Sequence, residues 1–299
     1  MVSFLQSQLQ NADEIKGVLK EVQVSYELSD GREVRTLLTY LPIDYGENGY
    51  SEFFEIIRKG ILYNFVFSCK EVEKKLGLNN PNSPEDLFDK AIRKLSKHTA
   101  KGELGELILF TLLDIYYQAP KLLSKVALKT NRRMPVFGAD AVHGQFHEGQ
   151  LKLYLGESKL HTQFKGAATK AAGSIKGAIE KYEDEFDLLD SYMDFPNIDE
   201  ASEALLLELL NPFSDNDLSG VIHSPCFIGF SDKDLVSNAK TEDEFVKKYT
   251  EVADTHIEVF FAAVEAKELD INDVSLLMLP FTCVDALVDE FVTHMGISA

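Results

Sequence analysis

Asp140, Glu157 and Lys159 are the residues whose types and spacing best suit chemistry in this sequence of 299 residues. One residue separates Glu157 from Lys159, so on a β-strand both side chains point to the same face. A second carboxylate, from Asp140, beside Glu157 makes a binding site for Mg²⁺, with Mn²⁺ as a substitute. The cation would lower the pKa of an attacking water, and the lysine would position or deprotonate that water and stabilise developing charge. The set therefore suits hydrolysis of phosphodiester bonds.

Two predicted strands bring these residues side by side. We predict strands over 136–142 and 151–155, after an earlier β-type segment over 124–129, and a hairpin connection over 143–149 that contains Gly144 and Gly149. Neighbouring strands lie about 4.8 Å apart, so Asp140, near the end of one strand, can stand beside Glu157 on the next.

An apolar helix ahead of the strands supplies two further carboxylates. Residues 107–117 are nearly all apolar, which predicts a helix buried on most sides. Glu103 and Glu106 at its start share one face at i, i+3 spacing. We predict that one of them is a further metal ligand, and we favour Glu106 because it lies one turn deeper. The alternative, that both are ordinary acids of a first helical turn, has equal support.

A helix predicted over 162–182 follows the Glu-x-Lys strand and contains the concentrated basic residues of this region. Its lysines fall on two stripes and not on one continuous face, and small residues between them allow close approach to the sheet or to a phosphate backbone. The alternative is the solvated face of an amphipathic helix. The candidate DNA contacts are Lys165, Lys170, Lys176, His161 and Gln163.

The flanking segments indicate an α/β protein with three regions. Residues 1–83 form a strand-rich lobe, with a hairpin over 21–41, a helix over 51–59 and a buried strand over 60–68. Residues 84–235 form the core, which begins with a helix over 84–96 capped by Ser83 and ends with a strand over 221–230. Residues 236–299 form an α/β segment with a helix over 241–267, a strand over 274–280 and a helix over 283–295.

Composition limits the classes of protein that remain. With 45% hydrophobic and 26% charged residues the chain is typical of soluble globular proteins, and no apolar run reaches the ~20 residues of a membrane span. We expect a cytoplasmic protein with three reduced, buried cysteines, because no signal segment or CxxC pair occurs. The net charge of −19 opposes binding to nucleic acid through the overall field, so DNA binding needs a local basic patch or a basic partner.

Acidic residues dominate positions 183–220. We predict a solvated surface there. A docking surface for a basic partner, or a guard that repels DNA from a resting site, is the functional alternative.

The order helix-glutamate, strand-aspartate, strand Glu-x-Lys, helix resembles the PD-(D/E)xK nuclease core, although Ala139 stands where the motif has proline. More narrowly, the segments GELGE, FGADAVHG and LYLGESK resemble the HamA family, the nuclease subunits of the Hachiman anti-phage defence system. The resemblance covers mainly residues 100–185. It implies a restriction-endonuclease-like central mixed sheet flanked by helices, a metal-dependent DNA endonuclease of little sequence specificity, and control by a superfamily 2 helicase of the HamB type.

Two other interpretations remain open at this stage. The first is a non-catalytic regulatory or adaptor subunit of a nucleic-acid motor, which the acidic charge favours and the intact Asp140, Glu157 and Lys159 oppose. The second is a carboxylate-metal hydrolase of small phosphoesters, which requires a closed pocket in place of an open cleft.

Overall fold

The computed structural model describes residues 7–44, 47–48, 50–76, 83–123, 125–128, 138–147, 150–181, 203–204, 207–208, 211 and 220–298. An eight-stranded mixed sheet flanked by helices forms its centre, which confirms the predicted α/β class. The strands are β1 (Lys20–Val22), β2 (Tyr26–Glu27), β3 (Glu33–Tyr40), β6 (Lys121–Leu123), β7 (Ala141–His147), β8 (Gln150–His161), β9 (Ile222–Ser231) and β10 (Val274–Phe281); a separate pair consists of β4 (Ile43–Asp44) and β5 (Glu47–Asn48).

The sheet is parallel at its centre and antiparallel at both sides. The order is β1-β3-β10-β9-β8-β7-β6, with β2 also paired to β3. Strands β3, β10, β9 and β8 are parallel, while β7 pairs antiparallel with both β8 and β6. Every residue of β10 is buried, as expected for a central parallel strand covered on both faces. The three predicted regions thus contribute strands to one sheet, and their boundaries remain a prediction.

Helices cover both faces of the sheet. The described helices are α1 (Ala12–Val18), α2 (Tyr50–Ile56), α3 (Leu62–Val66), α4 (Cys69–Leu76), α5 (Pro84–Ile92), α6 (Ala100–Ile115), α7 (Phe164–Glu180), α8 (Lys233–Ser237), α9 (Glu242–Glu265) and α10 (Val284–Met295), with a π-helical turn at Ile57–Ile61 and 3-10 turns at Lys125–Leu128 and Ile271–Asp273. One core contains α2, α3, α5, α6 and α10, and the other contains α7, α8 and α9. Strand β8 therefore lies between α6 on one face and α7 on the other.

Capping residues account for two helix starts that the sequence predicts. Ser83 and Asp86 form a capping box at the start of α5, with Pro84 at the first helical position. The Thr241 hydroxyl accepts a hydrogen bond from the Glu244 amide at the start of α9.

The predicted buried strand over 60–68 is wrong, because this segment is helical. It continues α2 through the π-helical turn into α3, and Ile57, Ile61, Leu62, Phe65 and Val66 are all buried. A helix that is apolar on all sides has no visible period and cannot be distinguished from a buried strand by its pattern.

The strands around the site also differ from prediction. Residues 125–128 form a 3-10 turn after the short strand β6, in place of the predicted segment 124–129. Strand β7 begins at Ala141 and continues through the predicted hairpin connection to His147, and residues 129–137 are outside the described part. Strand β8 extends beyond the predicted 151–155 to His161, so Glu157 and Lys159 lie within it.

Other expectations concern features away from the site. The three cysteines are free, with Cys69 and Cys226 buried as expected and Cys283 half-buried. Among the helices that the structure describes, none is both long and apolar enough to cross a bilayer. Most of the acidic segment 183–220 is outside the described residues.

Candidate active site

Asp140 lies at the entry to β7 and continues the pairing with β8 by one residue. Its amide donates to the Gly156 carbonyl (2.9 Å), directly before Ala141, which pairs with Gly156. Its Oδ2 accepts hydrogen bonds from the amide (2.8 Å) and hydroxyl (2.9 Å) of Ser158. Hydrogen bonds to a charged group contribute about 1.5–3 kcal/mol each in favourable cases, so Ser158 fixes the half-buried carboxylate.

Two glycines let helix α6 approach this part of the sheet. A Cβ at Gly105 would lie 3.2 Å from the Ser158 hydroxyl, and a Cβ at Gly156 would lie 2.9 Å from a methyl of Leu109. Larger residues at either position would push α6 away from β8. Ser158, and with it Asp140, is thus positioned by the packing of α6.

Glu157 and Lys159 lie on the opposite face of β8, towards α7. Glu157 is 6% exposed and accepts an ion-paired hydrogen bond from Lys159, whose side chain is 27% exposed. The Ser174 hydroxyl of α7 is also hydrogen-bonded to Glu157. Across the sheet Glu157 pairs with the buried Cys226 of β9. The alternation predicted from the Glu-x-Lys spacing is therefore present.

The electrostatics of Glu157 show that its charge is incompletely compensated. Burial, and after it the negative charge of Asp140, raise the pKa of Glu157 from 4.5 to about 7, although Lys159 and Ser174 oppose the shift. Burial also lowers the pKa of Lys159, but the ion pair with Glu157 and the charge of Asp140 outweigh this, and the net shift is upward. Lys159 is therefore protonated at neutral pH, and the two carboxylates repel each other.

Such a carboxylate pair fits a hard divalent cation. Asp140 and Glu157 provide oxygen ligands from neighbouring strands, and a cation between them would relieve their repulsion. In the described residues no group of three or more His, Cys, Asp and Glu side chains is arranged to hold a metal ion. Mg²⁺ requires no such cage, since it commonly binds one or two carboxylates and takes its other ligands from water and substrate phosphates.

The two glutamates of α6 have different environments. Glu103 is 2% exposed and accepts hydrogen bonds from the Thr99 hydroxyl (2.7 Å) and the Ser96 amide (3.3 Å), so it holds the turn before the helix. Glu106 is half-buried and lines a cavity of about 10 Å³ together with Asp140. A larger cavity, of about 440 Å³, lies between the N-terminal segment and residues 56–76 and contains none of the candidate residues.

The basic residues after β8 are only partly gathered at the site. The Nε2 of His161 lies 3.4 Å from the Lys170 ammonium, and its Nδ1 accepts from the Gln163 amide (3.1 Å). Lys170 lies one helical turn before Ser174, which contacts Glu157. Lys165 is exposed.

Lys176 differs from the other lysines of α7. Its ammonium lies 3.5 Å from Glu268 and 3.9 Å from Glu180. These acids partly neutralise it.

Ser158 and Ser174 are the site residues that sequence reasoning missed. Ser174 had a signal, because it interrupts the stripe of buried small residues that includes Ala167 and Ala171 on α7. Ser158 had none, since its contact with Asp140 depends on the pairing of β7 with β8 and on α6 behind them.

The family model for HamA matches residues 16–295, nearly the whole chain. No curated protein matches the chain. The chain therefore belongs to the HamA family, which confirms the resemblance seen in the sequence.

Proposed function

We propose that this member of the HamA family is a metal-dependent DNA endonuclease of little sequence specificity that acts in Hachiman anti-phage defence. The observation that supports this most is the repulsion between the half-buried Asp140 and the buried Glu157, with the Lys159 ammonium beside Glu157. A repelling pair of this kind is unfavourable for stability, and perturbed pKa values of this type are found preferentially at functional sites.

Asp140 and Glu157 would hold Mg²⁺, or Mn²⁺ as a substitute, and Glu106 would face the same ion through its cavity beside Asp140. Glu103 is less suited, because its two carboxylate oxygens already hold the turn before α6. When bound, the metal supplies a Lewis acid for the phosphoryl group and lowers the pKa of a water molecule.

Lys159 would act as an electrostatic group. Because its pKa is raised, it retains its proton at neutral pH and is a poor general base. Its ammonium can instead orient a water molecule and stabilise the negative charge that develops on the phosphate. Ser158 holds Asp140, and Ser174 holds Glu157, in the orientation that this requires.

A partner is part of the proposal. The net charge of −19 makes the chain poorly suited to hold DNA alone, and few basic groups lie near the site among the residues that the structure describes. A superfamily 2 helicase of the HamB type would supply DNA binding and restrain the nuclease. His161, Gln163, Lys165 and Lys170 would add contacts to the strand at the site. Lys176, also expected from the sequence to contact DNA, is less suited because Glu180 and Glu268 partly neutralise it.

A hydrolase of small phosphoesters is less well supported. The cavity described beside Asp140, at about 10 Å³, has room for about one water molecule and not for a phosphoester.

The test is plasmid cleavage by the chain, alone and with its helicase partner, in Mg²⁺, Mn²⁺ and chelator. The proposal predicts metal-dependent cleavage that Glu157→Gln abolishes. Glu242→Gln is the matched control, because this glutamate is also ion-paired (Lys20, 2.7 Å) but lies at the β1 side of the sheet. Cleavage in chelator, or full activity of Glu157→Gln, would contradict the mechanism. A helicase complex that assembles but never cleaves DNA would support the adaptor alternative.

A further inference from the structure

A buried histidine lies beside the candidate site, and the nuclease proposal gives it no role. His143 of β7 is 0% exposed, and its Nδ1 lies 2.6 Å from the Ala119 carbonyl oxygen. Because a carbonyl oxygen only accepts, Nδ1 is the protonated nitrogen. The Nε2 is then a lone-pair acceptor, and among the described residues it has no hydrogen-bond partner.

The charge state of His143 is consistent with this tautomer. Burial lowers the pKa of His143 to about 3, and the ammonium of Lys121, its partner across β6 and β7, contributes to the shift. The ring is therefore neutral. An acceptor that is buried without a partner is unfavourable, so a hydrogen-bond donor at Nε2 is expected.

Lys121 is not this donor. Its ammonium is already hydrogen-bonded to the carbonyl oxygens of Phe65 (3.0 Å), Phe67 (2.9 Å) and Asn64. These three contacts match the three N–H bonds of an ammonium group.

His143 lines the same cavity of about 10 Å³ as Glu106 and Asp140. This volume suits one water molecule, and the polar lining provides the two or more partners that a buried water requires. A water molecule has two hydrogens to donate, which matches one imidazole lone pair and one carboxylate. Asp140 and His143 both lie on the β7 side of the cavity, while Glu106 belongs to α6, so a water that bridges the strand to the helix has Glu106 as its second acceptor.

We propose that one buried water molecule donates to Nε2 of His143 and to the carboxylate of Glu106, which makes His143 a positioning residue for Glu106. This inference rests on the proposed function, since it assigns Glu106 to the metal. The link would tie a side chain of α6 to the sheet and hold its carboxylate next to Asp140. Glu106 would then be pre-oriented before a cation binds.

His223 of β9 provides a matched control. It is also buried, at 8% exposure, and burial also lowers its pKa. Its Nε2 likewise has no hydrogen-bond partner in the part of the chain that the structure describes. It is not among the residues of the cavity beside Asp140. Replacement of either histidine by phenylalanine removes a buried imidazole, but only His143→Phe would release Glu106.

The first measurement is a high-resolution crystal structure of the wild-type chain without metal. The expected result is one water in hydrogen-bonding contact with both Nε2 of His143 and Glu106. A dry cavity, or a water that contacts only one of the two, overturns the inference. This result does not depend on whether the His143 variant folds.

The second measurement is Mn²⁺ binding by calorimetry to the wild-type, His143→Phe and His223→Phe chains. The expected result is affinity about tenfold weaker for His143→Phe alone, at the lower end of the effect of removing an outer partner of a metal ligand. Unchanged affinity in His143→Phe, or equal weakening in both variants, overturns this inference but not the proposed function. Absence of Mn²⁺ binding to the wild type overturns the proposed function and the positioning role with it.

Discussion

The two faces of strand β8 differ in how fully their carboxylates are compensated. Towards α6, Ser158 donates twice to Asp140, and Gly105 brings the helix against that serine. Towards α7, Glu157 is buried beside Asp140 with one ammonium for compensation, and its pKa rises to about 7. One face is satisfied by hydrogen bonds, while the other has an excess of negative charge.

This difference separates groups that build the site from groups that would react. Hydrogen bonds from Ser158 fix the Asp140 carboxylate in place and stabilise the fold. A carboxylate whose ionisation is opposed gains when a cation arrives, and that gain is available for binding. We therefore expect substitution of the groups that hold the α6 face in place, Ser158 and Glu103, to change mainly stability. Substitution of Glu157 and Lys159 on the α7 face should change mainly metal binding and activity.

Among substitutions that leave the carboxylates in place, the largest effect is expected from Lys159→Met. Loss of the ammonium removes charge stabilisation from the α7 face and should lower the cleavage rate by about 10²- to 10³-fold, measured as plasmid nicking in the presence of the helicase. Lys101→Met is the control, because Lys101 is also ion-paired (Asp285, 2.8 Å) but is exposed. Equal losses in both variants would show that the effect is not specific to the site.

Glu106→Gln and Glu103→Gln test the comparison within α6. Glu106→Gln should weaken Mn²⁺ binding by at least about tenfold with little change in the melting temperature. Glu103→Gln should lower the free energy of unfolding by about 1–2 kcal/mol, because it weakens the turn before the helix, and should leave Mn²⁺ affinity unchanged. The reverse pattern, in calorimetry and thermal unfolding, would make Glu103 the ligand.

Ser158→Ala tests whether the α6 face is mainly structural. It removes one of the two hydrogen bonds to Asp140 and should lower the free energy of unfolding by about 1–2 kcal/mol in urea titrations. Ser174→Ala removes a hydroxyl from Glu157 on the other face and should have a smaller effect on stability, since Ser174 is half-buried. A larger loss from Ser174→Ala would break the distinction between the faces.

The smallest effect is expected from single lysines of α7. Lys170→Ala should weaken DNA binding by the complex by about the contribution of one phosphate contact, and should reduce the salt dependence accordingly. Lys176→Ala should change neither the affinity for DNA nor its salt dependence, because Glu180 and Glu268 already partly neutralise Lys176. Equal effects of both, in binding measured against salt concentration, would remove Lys170 from the candidate contacts.

The sequence predicts much of the sheet because its signals are local. Alternation places Glu157 and Lys159 on one face of β8, and the pairing of β7 with β8 brings Asp140 beside them as expected. Helix α5 begins at the predicted cap because Ser83 and Asp86 lie within one turn of each other.

The remaining features depend on distant parts of the chain. The segment 57–66 is buried on all sides, so its sequence has no period that distinguishes helix from strand. The contact of Ser158 with Gly105 joins residues far apart in sequence, and only the packing of α6 on β8 defines it. Glu103 and Glu106 are equivalent by helical spacing, and their separation into a turn contact and a cavity contact arises from tertiary structure.

The central claim concerns the excess negative charge at Glu157, and unfolding with and without Mn²⁺ tests it most directly. The folded pKa of Glu157 lies above the ordinary value of 4.5, so the stability that its protonated form contributes is lost as pH rises from about 4.5 towards 7. Without metal, Glu157→Gln should therefore be more stable than the wild type at pH 8 and converge with it near pH 4.5. Mn²⁺ at about 100 times its Kd should stabilise the wild type by about 2.7 kcal/mol at pH 8, with little effect on Glu157→Gln. The account would be contradicted if the difference in stability between Glu157→Gln and the wild type were the same at pH 8 and pH 4.5, and if Mn²⁺ did not stabilise the wild type.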